Sequence, residues 1–171
     1  MSDALEIHTR DATATMALAA QLAGVLREGD VLGLVGELGA GKTQFVRGMA
    51  EGLGITPAAV SSPTFVLMHE YEPGDVTKPI LVHIDAYRLT GAKDFVSIGW
   101  GDGSDDWRED AIVAVEWADR VSEALNDDWL DVRIEHVDRG RRIVMQPRGA
   151  WNERTKQLEQ VIEDVKKAAA T

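Results

Sequence analysis

A glycine-rich stretch, GELGAGKT at residues 36–43, has the residue types of a phosphate-binding loop. Its pattern is G-x-x-x-x-G-K-T, in which the glycines allow backbone N–H groups to wrap around phosphates. Lys42 can reach the outer phosphates, and the hydroxyl of Thr43 can ligate magnesium. The stretch therefore predicts a nucleotide site with magnesium. The residues expected to contact the nucleotide here are Gly36, Leu38, Gly39, Ala40, Gly41, Lys42, Thr43 and Gln44.

Two carboxylates stand directly after short apolar runs of the kind that form buried strands. Asp85 follows residues 80–84, and Glu116 follows residues 111–115. If these runs are neighbouring parallel strands, both acids lie at the same edge of the sheet. Two acids placed there can hold magnesium and position an attacking water. We therefore predict that Thr43, Asp85 and Glu116 form the metal site.

Thr64 follows a proline in the segment Ser61-Ser62-Pro63-Thr64, where the chain leaves regular structure. A threonine in such a loop resembles a switch residue that senses the outer phosphate through magnesium. An ordinary turn threonine is the alternative. The residues to which we assign catalysis are Lys42, Thr64, Asp85 and Glu116.

Four other residues near these motifs each have more than one interpretation. His83 shares a strand face with Asp85, but a core histidine is the more common explanation. Trp117 either stacks at the site or packs half-buried. Arg88 could pair with Asp85, hold the sheet edge or meet a partner. Arg141, beside a glycine at a hairpin tip, could contact the nucleotide, and a solvated turn arginine explains the same spacing.

Apolar periodicity predicts the elements that place these residues. The apolar run 31–35 is typical of a strand buried on both faces, and a helix over 43–53 follows the glycine loop. This order of strand, loop and helix predicts an α/β fold, a P-loop NTPase-like three-layer architecture in a single domain, 1–171. The sheet should be mixed and mostly parallel, flanked by helices, with a C-terminal antiparallel hairpin and a terminal helix. The other predicted elements are a helix over 12–26, strands over 65–71, 80–84 and 111–115, a short helix over 92–97, a loop over 99–110, a hairpin over 132–145 and a helix over 151–169.

Composition excludes several classes of protein. The 171 residues contain no cysteine, which rules out disulfides, thiol catalysis and cysteine-bound zinc. A formal net charge of -11 disfavours tight binding to DNA or directly to RNA. The sequence shows neither a signal peptide nor a membrane span, so we expect a cytoplasmic protein.

The sequence favours ATP as the nucleotide and leaves three functions open. The NKxD pattern of guanine recognition and the LSGGQ pattern of transporters are both absent from the sequence, which favours ATP. Besides an ATPase, two other functions fit a phosphate loop. One is a phosphotransferase in which Asp85 accepts a proton from a small-molecule hydroxyl. The other is a nucleotide-gated interaction module with little turnover.

Four motifs in register resemble the bacterial TsaE (YjeE) family, the ATPase component of tRNA threonylcarbamoyladenosine biosynthesis. They are GELGAGKT at 36–43, SSPTF at 61–65, HIDAYRL at 83–89 and VEWAD at 115–119. The resemblance spans most of residues 5–145. It departs from the family at Ala118, where many members have proline after the tryptophan.

The resemblance implies roles for individual residues. Gly39, Ala40, Gly41, Lys42 and Thr43 would hold phosphates, and Thr43 with Glu116 would ligate magnesium. Asp85 would be the Walker B-like acid and Thr64 the switch threonine. Arg141 and the residues near Asp11 and Ala12 would lie beside the nucleoside.

The resemblance also implies a cytoplasmic ATPase that is weakly active alone and works with the TsaB and TsaD proteins. Those proteins transfer a threonylcarbamoyl group to adenosine in tRNAs that read codons beginning with A. The tRNA would therefore be an indirect partner. An acidic component that leaves tRNA to its partners needs no basic face.

Overall fold

The computed structural model describes residues 3–101 and 105–171. The described residues form one seven-stranded sheet, with helices packed against it. The strands are β1 Leu5–Thr9, β2 Val31–Val35, β3 Met68–Tyr71, β4 Ile80–Asp85, β5 Ala111–Glu116, β6 Leu130–His136 and β7 Arg141–Pro147. The helices are α1 Ala12–Ala23, α2 Lys42–Gly52, α3 Ala92–Val96 and α4 Thr155–Ala169.

The strand order is β1-β7-β6-β2-β5-β4-β3. The central strands β6, β2, β5 and β4 are parallel, and the pairs that involve β7, β1 and β3 are antiparallel. This arrangement confirms the mixed α/β sheet, the C-terminal hairpin formed by β6 and β7, and the terminal helix. The carboxyl ends of β2, β4 and β5 meet at one edge, where ligands bind in open parallel sheets.

The central strands are apolar along their whole length because both faces are buried. On β5, Ile112 and Ala114 pack under α1 and α2, whereas Val113 and Val115 face a second cluster around Trp100. Alternate side chains of a strand point to opposite faces, so a strand covered on both sides reads as a continuous apolar run.

Two glycines of α2 allow it to lie unusually close to α1. A Cβ atom on Gly48 would lie 2.3 Å from the backbone oxygen of Met16, and one on Gly52 would lie 2.5 Å from that of Ala20. Only glycine fits such a contact without displacing backbone. The close packing fixes α2, and with it the glycine loop that precedes the helix.

Several predicted boundaries were wrong. The helix predicted over 12–26 ends at Ala23, because Gly24 caps it and turns the chain. The strand predicted over 65–71 begins only at Met68, since the N–H of Leu67 donates to the carbonyl of Pro63 in a turn. The helix predicted over 151–169 begins with a 3-10 segment, Gly149–Arg154.

Strand β1 was absent from the sequence predictions, although Leu5 and Ile7 alternate with polar residues. The predicted loop over 99–110 contains a 3-10 turn, Asp105–Arg108, and its residues 102–104 lie outside the described part of the chain. In the described ranges, no helix is both long and apolar enough to cross a membrane.

Candidate nucleotide site

The glycine loop joins the end of β2 to the first turn of α2. Gly39 and Gly41 have φ angles of +78° and +111°, the left-handed region that glycine enters without strain. Gly41 is the residue that precedes α2, and no side chain caps the helix there. The first N–H groups of α2 therefore have no helical partner, and together with the helix dipole they form a site for an anion.

Lys42 lies inside this loop and is almost fully buried. Its Nζ donates to the carbonyls of Gly36 and Glu37 at 2.6 and 2.9 Å, and lies 3.9 Å from the centre of the Trp117 ring. Burial lowers the pKa of Lys42, and the nearby carboxylates of Glu116, Asp85 and Asp119 oppose that effect. A phosphate bound here would stabilise the charged ammonium further.

The two predicted acids are neighbours, which confirms the expected parallel pairing of their strands. Asp85 at the end of β4 is the register partner of Glu116 at the end of β5, and both are buried. The Thr43 hydroxyl donates to Glu116 Oε1 at 2.7 Å, and His83 Nε2 lies 2.8 Å from the same oxygen. The helix, through Thr43, is thus connected directly to the sheet.

Asp85 binds the loop that contains the predicted switch threonine. Its Oδ2 accepts hydrogen bonds from the hydroxyls of Ser62 at 2.6 Å and Thr64 at 2.8 Å, and Oδ1 accepts one from the N–H of Tyr87 at 2.9 Å. In this state Thr64 is bound to Asp85. Ser62 is a contact that the sequence predictions did not include.

Arg141 contacts the glycine loop from outside. Its guanidinium donates to the carbonyl of Ala40 at 2.7 Å and to that of Gly39 at 3.3 Å. Gly140, with a φ angle of +86°, lies against the end of β1, since a Cβ there would lie 1.8 Å from the carbonyl oxygen of Thr9. The arginine therefore holds two loop carbonyls. The predicted contact of Arg141 with a nucleoside stays a prediction.

A cleft of about 530 Å³ opens over these groups, a volume suited to a small ligand. It is lined by nine of the predicted residues, together with Ser62, Tyr87 and Trp117. The nine are Leu38, Gly39, Gly41, Lys42, Thr43, Gln44, Thr64, Asp85 and Glu116.

Five predicted residues do not line this cleft. Gly36 and Ala40 belong to the loop itself, and Arg141 lies behind it. Asp11 caps α1 by accepting from the N–H of Ala14, and Ala12 is the first residue of that helix. Another cleft, of about 610 Å³, contains none of the predicted residues.

Apolar side chains stand exposed on two segments that contribute residues to the cleft. Leu38 of the glycine loop and Phe65 of the switch segment are each 82% exposed, and Val66 is 61% exposed. The guanidinium of Arg88 lies over the Phe65 ring, 4.4 Å from the ring centre. The sequence alone had left several roles open for this arginine. These residues form a partly apolar rim.

The side chains present fit magnesium. A hydroxyl and two neighbouring carboxylates supply oxygen ligands, which this cation prefers, and a second positive charge beside Lys42 would offset the repulsion between the acids. Among residues 3–101 and 105–171, no three His, Cys, Asp or Glu side chains could enclose a metal alone. This agrees with magnesium sites that use one or two carboxylates and complete the shell with phosphates and water.

Comparisons with known proteins agree with the motifs. The family model described as threonylcarbamoyl adenosine biosynthesis protein TsaE matches residues 9–144. The tRNA threonylcarbamoyladenosine biosynthesis protein TsaE of Streptomyces coelicolor is 45% identical over 70% of this chain and 78% of its own length. The Bacillus subtilis protein of that name is 37% identical over 72% of each chain.

The fold has a relative among solved structures. The crystal structure of Bacillus subtilis YdiB covers 99% of this chain and 98% of its own, with a TM-score of 0.69 and 30% sequence identity. Both the family model and this structural match include the elements that carry the cleft. The chain belongs to the TsaE family of threonylcarbamoyl adenosine biosynthesis proteins.

Proposed function

We propose that this protein binds ATP with magnesium and hydrolyses it to ADP and phosphate, as the ATPase component of the machinery that makes threonylcarbamoyladenosine in tRNA. The observation that carries the proposal is the meeting of the glycine loop with Lys42, Thr43, Asp85 and Glu116 in one cleft. Family membership supplies the pathway. A cytoplasmic location follows from the proposed role.

The chain's own groups suit phosphoryl transfer. The free N–H groups of α2 and the loop would bind phosphate oxygens, and the ammonium of Lys42 would neutralise outer phosphates. Thr43 and Glu116, with Asp85 directly or through a water, would hold magnesium, which when bound offsets the charge that develops on the phosphates. A carboxylate at this edge would orient the attacking water.

The switch segment gives a physical reason for weak activity without partners. The Thr64 hydroxyl lies 2.8 Å from Asp85 Oδ2 and shares that oxygen with Ser62. To sense an outer phosphate, Thr64 must leave this carboxylate, and breaking hydrogen bonds to a charged group costs about 1.5–3 kcal/mol each. Contacts from another protein that stabilise the released segment would lower this cost.

We propose TsaB and TsaD as those partners, with tRNA bound through them. The rim of exposed apolar side chains supports a protein partner, because apolar side chains clustered beside a site are typical of interaction surfaces. The net charge of -11 supports indirect contact with tRNA, since an acidic chain repels a phosphate backbone.

Phosphate release from ATP tests the proposal. We expect slow release by the protein alone, and release at least ten times faster with TsaB and TsaD. Lys42→Ala and Glu116→Ala should abolish the stimulated rate, whereas Lys166→Ala on the exposed face of α4 should leave it unchanged. No stimulation under any condition would contradict the proposal, and labelled phosphate recovered on a metabolite would indicate a phosphotransferase instead.

A further inference from the structure

We propose that His83 is a positioning residue that holds the carboxylate of Glu116 in the orientation required for magnesium. This inference rests on the proposed function, because it concerns the same magnesium site. His83 lies on β4, two residues before Asp85, and its side chain is completely buried. It does not line the cleft, so it can affect bound ligands only through another residue.

The contacts of His83 point to Glu116 alone. Within the described ranges, its Nε2 lies 2.8 Å from Glu116 Oε1, and its Nδ1 is buried without a hydrogen-bond partner. A carboxylate accepts hydrogen bonds, so in this contact Nε2 is the donor and Glu116 Oε1 the acceptor. Leaving a buried nitrogen without a partner costs free energy. The ring of His83 is therefore placed for the contact of its Nε2 with Glu116.

The arrangement controls which oxygen of Glu116 remains available. Oε1 accepts from both Thr43 and His83, whereas Oε2 has no hydrogen bond to any residue that the structure describes. A glutamate side chain has three rotatable bonds, and two donors on one oxygen fix its orientation. Groups that orient a metal ligand in this way commonly change metal affinity by about 10- to 100-fold when they are replaced.

Of the two donors to Glu116 Oε1, His83 is the one that would not itself contact a bound ligand. Thr43 belongs to the glycine loop and is itself expected to turn its oxygen towards magnesium. His83 has no such second role, because it is enclosed between β3 and β5, opposite His69 and Ala114 in register. It therefore keeps Glu116 oriented whether or not the cleft holds a nucleotide.

Two polar replacements separate positioning from packing. In His83→Gln, the side-chain amide N–H can lie near the former Nε2 and donate to Glu116. In His83→Asn, the shorter side chain ends near the former Nδ1 and cannot reach. A third variant, His83→Met, fills the space without a donor and serves if His83→Asn does not fold.

The measurement is the affinity of the full-length variants for ADP, with magnesium and with EDTA, by calorimetry. We expect His83→Asn or His83→Met to weaken binding about tenfold with magnesium and less than twofold in EDTA. His83→Gln should stay within about threefold of the unmodified protein in both conditions. In a Glu116→Ala background, replacing His83 should have no further effect on the magnesium-dependent binding.

Two results would overturn the inference. Equal losses with magnesium and with EDTA would show a packing role, and unchanged magnesium-dependent binding in the variants that lack the donor would show no role at all. Failure of the proposed function is a different result. In that case the unmodified protein would bind ADP with the same affinity in magnesium and in EDTA, or Glu116→Ala would bind ADP in magnesium as tightly as the unmodified protein.

Discussion

Replacing Arg141 by methionine separates two roles for this arginine. The structure shows its guanidinium on the carbonyls of Ala40 and Gly39, at 2.7 and 3.3 Å, whereas the family resemblance predicts a contact with the nucleoside. Methionine keeps an unbranched side chain but removes every donor. If the arginine orders the glycine loop, its loss should weaken all phosphate binding, whereas a nucleoside contact should matter only for ligands that contain a base.

The contact distances set the size of the effect. A hydrogen bond to a charged group contributes about 1.5–3 kcal/mol, and of the two bonds to the glycine loop only the one to Ala40, at 2.7 Å, is short enough to count fully. Loss of about 2 kcal/mol of loop ordering corresponds to about 30-fold weaker binding. The free energy of unfolding should also fall, because Arg141→Met removes in addition the hydrogen bond of 2.8 Å to the Gly140 carbonyl.

Calorimetry with ADP and with pyrophosphate, both in EDTA, distinguishes the two roles. We expect Arg141→Met to weaken both ligands by a similar factor. Arg142→Met is the matched control, because among the described residues the neighbouring guanidinium donates to Glu6 and Glu135 and not to the glycine loop. An unchanged affinity for pyrophosphate together with a weaker affinity for ADP would refute the ordering role.

Two further predictions concern helix packing and partner binding. Gly48→Ala should lower the free energy of unfolding, measured in urea, by about 1–3 kcal/mol, since its Cβ would lie 2.3 Å from the Met16 oxygen. Gly74→Ala, where a Cβ meets open space, should change it little, and equal effects would contradict the packing argument. Phe65→Ser should reduce stimulation by TsaB and TsaD at least tenfold without changing ADP affinity. Val76→Ser is the control, because Val76 is also highly exposed but lies between β3 and β4 and is not one of the rim residues, and it should keep full stimulation. Full stimulation of the Phe65 variant would exclude that rim from the interface.

The centre of the fold could be predicted from sequence because its strands are buried on both faces. Continuous apolar runs located β2, β4 and β5, and the parallel pairing of the last two then placed Asp85 beside Glu116. The edge of the sheet gave a weaker pattern. Strand β1 has only five residues, of which Ile7 and Thr9 are buried, so its pattern was too short to be recognised.

Side-chain partners were harder to predict than strands because they depend on packing between distant segments. Ser62 reaches Asp85 across 23 residues, and Arg141 reaches Ala40 across 101. His83 was recognised as a residue compatible with the core, and its burial agrees with that interpretation. Its bond to Glu116 depends on which rotamers β4 and β5 allow, and a strand pattern contains no such information.

The central claim is that ATP hydrolysis in this cleft sustains repeated cycles of tRNA modification. It is tested most directly by counting the threonylcarbamoyladenosine formed per protein molecule in a mixture with TsaB, TsaD, tRNA, ATP and a threonylcarbamoyl donor. We predict many modified tRNAs per molecule with the unmodified protein, and no more than about one with Glu116→Ala. An equal number with Glu116→Ala, or with a non-hydrolysable ATP analogue, would contradict the claim and indicate a nucleotide-gated module.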